Sequence, residues 1–221
     1  MELNFIWRMA VPEKIWIFRI IHISNLLHVI KHGLVTEDSP NANLDFVKIG
    51  DNSLIEYRHD LEVPMLTGGK FNEYIPFYLG THSPMLYQIA TGYEGIRKYP
   101  QEDIIYLASS FETIKKHNCQ FVFTDGHARS AVTKFYSNEV DFQKLDWETI
   151  YSIYWSNDET DYDRQRRKQA EFFVKEHVPF NCIELILVFN NIAEKNVLHL
   201  LEQEGIVFPV QISKKAYYDN L

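Results

Sequence analysis

Residues 164–174, RQRRKQAEFFV, set four cations ahead of one carboxylate, Glu171, with an apolar run behind it. The chain as a whole is acidic, with 22 Lys+Arg against 30 Asp+Glu and a formal net charge of −8. A local basic cluster beside a single acid therefore stands out. The pattern suits an enzyme that handles a polyanion and keeps one critical charge of its own. The competing reading is a solvated helix face laced with i,i+4 charge pairs.

Other segments carry groups that can do chemistry. His22 ends an apolar run and can donate to a ligand hydroxyl, or be a satisfied, partly buried histidine. His28 and His32 stand four apart, a spacing zinc can use, but no HExxH glutamate or third ligand accompanies them, so no metal is expected. Arg58 precedes Thr67-Gly68-Gly69, where a glycine pair lets backbone approach a ligand and an arginine can hold a diphosphate; a plain surface arginine fits equally well. The loop matches neither GxGxxG nor a P-loop. Tyr74 to Tyr87, YIPFYLGTHSPMLY, offers tyrosines that can stack on a planar heterocycle or form an aromatic core strand. Phe123-Thr-Asp-Gly-His127 reads as a strand running into a tight turn, either the lip of a site or an Asx-capped turn.

These residues need elements to position them. Residues 15–23, IWIFRIIHI, predict a buried strand, and Ser24 or Asn25 caps a helix over LLHVIKH that Gly33 ends. Residues 35–70 predict a long loop. Residues 74–79 predict a strand that Pro76 places at an edge. Short helices are expected at 83–91 and 111–116, and strands at 104–109 and 120–124. A mixed segment then runs to Asp163, with a helix or strand through 164–177. A core strand at 183–189, an amphipathic helix at 193–203 and a last strand at 206–212 complete the chain. Strands and helices mix without a βαβ rhythm, which indicates an α+β fold.

With 221 residues, 46% hydrophobic and 14% aromatic, and no linker-like stretch, one domain over 1–221 is expected. Cys119 and Cys182 have no motif partners, which points to a reducing compartment. The apolar runs are too short to span a bilayer, and no signal peptide is read at the N-terminus. A cytoplasmic protein is expected. The net charge argues against a general nucleic-acid coat but allows one local basic groove.

The strings HISNLLHVIKHGL, the glycine loop, YIPFYLGTHSPMLY, FVFTDGHA and RQRRKQAEFFV, in that order over nearly the whole chain, resemble the DarT family of bacterial DNA ADP-ribosyltransferase toxins, most closely its thymidine-modifying subgroup. The resemblance implies an ADP-ribosyltransferase-like fold, a mixed or antiparallel central split sheet flanked by helices. It implies NAD as substrate, no metal, and transfer of ADP-ribose to a base in single-stranded DNA. Glu171 matches the catalytic acid that steadies the ribose cation, and Arg58 the catalytic arginine. His22, Asn25, Gly33, Tyr74 and Tyr78 would hold NAD, and His127 would belong to the site. The segment Trp147–Arg167 would present the DNA: Tyr151, Tyr154, Trp155 and Tyr162 stacking on bases, and Arg164, Arg166 and Arg167 meeting phosphates. The family's macrodomain antitoxin would be a separate chain. The alternatives are a transferase acting on RNA or protein, a nucleic-acid-binding module without catalysis and, last, a metal-dependent nuclease.

Overall fold

The computed structural model describes residues 9–51, 59, 61–65 and 67–218. Its centre is laid down by two of the most apolar runs in the chain. Strand β1 (Trp16–His22) pairs antiparallel with β4 (Ile104–Ser110) in unbroken register from Trp16↔Ser110 to His22↔Ile104. Every residue of β4 is buried, so this strand is covered on both faces, and its sequence has no polar alternation to offer solvent.

Around this pair the chain builds an eight-stranded sheet in the order β10-β9-β4-β1-β3-β7-β5-β6. The added strands are β3 (Tyr74–Tyr78), β5 (Phe121–Thr124), β6 (Phe135–Tyr136), β7 (Glu171–Lys175), β9 (Leu185–Val188) and β10 (Val210–Ile212). The β9–β10 pair is parallel and all other pairs in the sheet are antiparallel. A separate ribbon joins β2 (Leu34–Val35) to β8 (His177–Val178). This is the α+β architecture with a mostly antiparallel sheet.

The sheet is split down its middle. β1 and β3 share one register pair, Phe18↔Tyr78, whereas β3 and β7 pair over five positions from Tyr74↔Lys175 to Tyr78↔Glu171. The expectation that Pro76 marks an outer edge is corrected here, because β3 lies between β1 and β7. A strand residue points its N and its carbonyl O to the same side. The Pro76 carbonyl accepts a bond from Arg19 Nη1 at 2.8 Å, so its donorless nitrogen also faces the gap toward β1. The proline sits at an internal edge, where no ladder bond is lost.

Helices cover both faces. Helix α1 (Leu26–His32) and the long helix α6 (Asn191–Gln203) pack on the largest core cluster; α2 (Pro84–Thr91) packs on a second, with Ile20, Tyr106 and Tyr217. Ser83 caps α2 through the Leu86 N–H, with Pro84 at its first position. Gly33 ends α1 with φ +73°, and a Cβ there would lie 2.4 Å from the Val178 carbonyl oxygen, so the ribbon closes against the helix only over a glycine. Both cysteines are free. No helix among the described residues is long and apolar enough to cross a membrane.

Candidate active site

The split opens a cavity of about 440 Å³. Its wall takes Arg19 and Ile21 from β1, Val29 from α1, Tyr74 and Tyr78 from β3, Met85 and Gln88 from α2, and Phe46, Lys48 and Ile49 from the loop after β2. His127, Gln169 and Glu171 close it on the far side. The volume and the mainly apolar wall with a few convergent polar groups suit a small organic ligand.

Glu171 is the first residue of β7 and is only 2% exposed. Its side chain shares a face with Phe173 because strand residues two apart point the same way. Its backbone N–H donates to Thr124 Oγ1 at 3.0 Å, and that hydroxyl donates to the Gly126 carbonyl at 2.6 Å. Its carboxylate Oε2 accepts the Ala128 N–H at 2.7 Å. A buried carboxylate held by a backbone donor at a cavity wall has a fixed direction and a low dielectric around it, the conditions for electrostatic stabilisation of a nearby cation.

The structure brings some of the expected residues to this wall and not others. Gly33, Tyr74, Tyr78, His127 and Glu171 line it. His127 sits on the turn that grips Glu171, and its Nδ1 accepts the Arg129 N–H at 3.1 Å. The Tyr74 hydroxyl is engaged with the Gly68 carbonyl at 2.7 Å. His22 does not line the cavity. By the register Phe18↔Tyr78↔Glu171 it stands on the same face of the sheet as Tyr78 and Glu171, at the end of β1, where its ring packs edge-on against Tyr99 at 5.2 Å. Its Nδ1 accepts the Ser24 N–H at 3.2 Å, capping the next turn, and burial pushes the imidazole below its ordinary pKa. Asn25 is also absent from the wall. Its amide clamps both backbone groups of Val47 at 2.9 Å, so it braces the loop that forms part of the wall. The glycine pair is likewise not at the cavity: Gly69, at φ +86°, is crowded by the Glu73 carboxylate, 2.3 Å from where its Cβ would stand. Arg58 lies outside the described residues.

The basic cluster is not a bare cationic surface. On helix α5 (Arg164–Lys168), Arg164 pairs with Asp158 and Asp161, and Arg167 with Asp146 and Asp161. Arg166, 15% exposed, pairs with Asp125 and Asp163, both at 2.8 Å. These partners hold the Asp163 carboxyl below its usual range and raise the Arg166 guanidinium. The expectation of arginines ready for phosphates is corrected to this extent: five aspartates, spread from 125 to 163, already neutralise them. The aromatic segment divides as well. Tyr154 and Tyr162 stand 72% and 77% exposed, whereas Trp155 is half-buried against Tyr87, with ring centres 5.6 Å apart. Trp155 anchors the loop to α2, and Tyr154 and Tyr162 project from it.

Sequence reasoning missed polar groups that the split exposes. Among the described residues, four buried side-chain polar atoms have no partner: Arg19 Nε, His28 Nε2, Thr67 Oγ1 and Asn72 Oδ1. Three of these residues, Arg19, His28 and Asn72, line the cavity. Burial lowers the Arg19 guanidinium to about 10, against a smaller opposing effect of Tyr78, and also lowers His28. Unpaired buried polar atoms are costly in a native fold and call for an explanation; concentrated at one cavity, they fit a wall that a polar ligand completes. The signal for Arg19 was a lone cation inside IWIFRIIHI. Among the described residues no group of three or more His, Cys, Asp or Glu side chains can hold a metal ion.

With this geometry in place, three comparisons bear on the chain. A family model described as ssDNA thymidine ADP-ribosyltransferase, DarT, matches residues 18–218. The DNA ADP-ribosyl transferase of Thermus sp. (strain 2.9) is 35% identical over 217 residues, covering 94% of this chain and 98% of that protein. The solved structure of Thermus sp. 2.9 DarT in complex with ADP-ribosylated ssDNA superposes with a TM-score of 0.85 at 32% identity, over 96% of this chain and all (100%) of that one. The same protein in complex with NAD+ gives 0.81 at 31% identity, over 95% and 100%.

Proposed function

The chain belongs to the DarT family of single-stranded-DNA thymidine ADP-ribosyltransferases, and on that footing we propose that its split-sheet cavity holds NAD while Glu171 drives transfer of ADP-ribose to thymidine. The observation that carries the reading is the Glu171 carboxylate, buried yet on the cavity wall and aimed by the Ala128 N–H. The nicotinamide–ribose bond breaks, nicotinamide leaves with the bonding electrons, and C1 of the ribose becomes cationic. A carboxylate fixed beside that carbon lowers the energy of the cation without reorganising first. A base nitrogen then forms the new bond to C1, and its proton passes to Glu171, which serves as general base. The orphaned atoms of Arg19, His28 and Asn72 would pair with polar groups of the dinucleotide, and Tyr74 and Tyr78 would flank its rings. Arg58 keeps its family role as a catalytic arginine in this proposal.

The target is unpaired DNA. A base whose reacting edge is occupied in a duplex cannot reach a buried carboxylate unless it is splayed out. Tyr154 and Tyr162, on the loop that Arg164, Arg166 and Arg167 brace, are placed to stack on such bases. With the arginines internally paired, we infer that stacking supplies more of the DNA affinity than phosphate neutralisation does, so the salt slope is shallow. Residues 1–221 then act as one catalytic domain in the cytoplasm, as a toxin opposed by a macrodomain antitoxin on a separate chain. Incubation with labelled NAD and a panel of acceptors tests the activity. Label is expected on a thymidine-containing single strand and not on its duplex, on a thymidine-free strand, on RNA or on protein. Label on RNA or protein with DNA untouched contradicts the DNA reading.

A further inference from the structure

We propose that Arg166 and Asp125 are positioning residues that aim the Glu171 carboxylate, rather than contacts to the DNA backbone; this rests on the reading that Glu171 drives the transfer. The turn after β5 is the link. Its Ala128 N–H meets Glu171 Oε2 at 2.7 Å, so the direction of the carboxylate depends on where that turn is held. Arg166 holds it at several points. Its guanidinium Nη1 donates to Asp125 Oδ1 at 2.8 Å and to Thr133 Oγ1 at 3.2 Å, and its carbonyl accepts the His127 N–H at 2.9 Å. Thr133 Oγ1 in turn donates to the His127 carbonyl at 2.8 Å.

A separate observation shows that turn and arginine are built as one unit. A Cβ on Gly126 would lie 2.3 Å from Arg166 Nη1 and 2.9 Å from the Arg166 carbonyl oxygen. The backbone of the turn therefore rests directly on this side chain. On its other side the guanidinium grips Asp163 through Nε and Nη2, each at 2.8 Å. A planar fork with five donors grips Asp163 at two points while it serves Asp125 and Thr133, a geometry the single nitrogen of an ammonium does not reproduce. Arg166 thus joins the loop carrying Tyr154 and Tyr162 to the turn that directs Glu171.

Steady-state kinetics on a thymidine-containing single strand separate the two roles. Arg166→Lys and Asp125→Asn, each normalised to folded protein, are expected to lower kcat by about 10- to 100-fold, the scale of a small misplacement at a reacting centre. KM for NAD and the salt slope of the DNA dependence are expected to stay at wild-type values in both, and in Asp125→Asn, which leaves the grip of Arg166 on Asp163 in place, so is the half-saturating DNA concentration. If Arg166→Lys fails to fold, the near-isosteric Asp125→Asn carries the test by itself. A phosphate-contact role would instead leave kcat intact in Asp125→Asn, while the charge-removing Arg166→Gln would raise the DNA requirement and lower the salt slope by about 1; that result, or wild-type kcat in Asp125→Asn, overturns the proposal. Glu171→Gln run alongside keeps the premises apart. Full activity there defeats the reading of Glu171, whereas its loss with wild-type kcat in the other two defeats only the positioning role.

Discussion

Lys168 shows how a single side chain can be structural and still report on pH. It is 3% exposed, and its Nζ donates to the Thr81 and Ile150 carbonyls, both at 2.7 Å. A neutral amine has two N–H groups for these two acceptors. Burial pushes the ammonium from its ordinary 10.5 down to about 7. Between those values the unfolded chain keeps a proton that the folded chain releases, so stability climbs as pH rises through that window. Urea midpoints at pH 7, 8 and 9 are expected to rise more steeply for the wild type than for Lys168→Met. Parallel curves would contradict the shift. At this scale the sequence was partly legible. Glu171 stood out because it was the one acid behind four cations. The same contrast misdirected the reading of Arg164, Arg166 and Arg167, since their aspartate partners lie as far away as position 125. Tertiary ion pairs leave no local trace in composition.

Among the elements, the short ones that close the cavity depend on where glycine and proline stand. Gly33 was expected to meet NAD; it lines the cavity and also takes the close approach of the β8 backbone. Gly33→Ala would force a positive φ and a clash with the Val178 carbonyl, costing about 1–3 kcal/mol for the backbone strain and more for the contact. The ligand-free variant is expected to melt at least about 5 °C below the wild type. An unchanged melting temperature would mean that the glycine serves only the ligand. Most elements were legible: the helix expected over 111–116 stands there, and the strand expected over 104–109 runs one residue further, to Ser110, whose side chain caps that helix. Pro76 was misplaced because an internal edge and an outer edge look alike from one strand. Knowing that β1 and β3 separate after Phe18↔Tyr78 requires the partner strand. Alternation along β1 puts Arg19 and His22 on opposite faces, and only the gap between β1 and β3 brings Arg19 to the cavity.

At the scale of the whole molecule, the split sheet reconciles an acidic protein with a polyanionic target. The net charge of −8 repels DNA at long range, the arginines of α5 are already paired, and Tyr154 and Tyr162 project exposed from the loop they brace. In the proposed reading, recognition rests on an unpaired base, which duplex DNA does not present, entering the cavity. The central claim is that the glutamate at the start of β7 performs the transfer, and mass spectrometry of a single-thymidine oligonucleotide incubated with NAD tests it most directly. The wild type is expected to add one ADP-ribose to that thymidine. Glu171→Gln, folded and still binding NAD, is expected to be slower by at least about 10²–10³-fold. An adduct formed at an undiminished rate by Glu171→Gln would contradict the account.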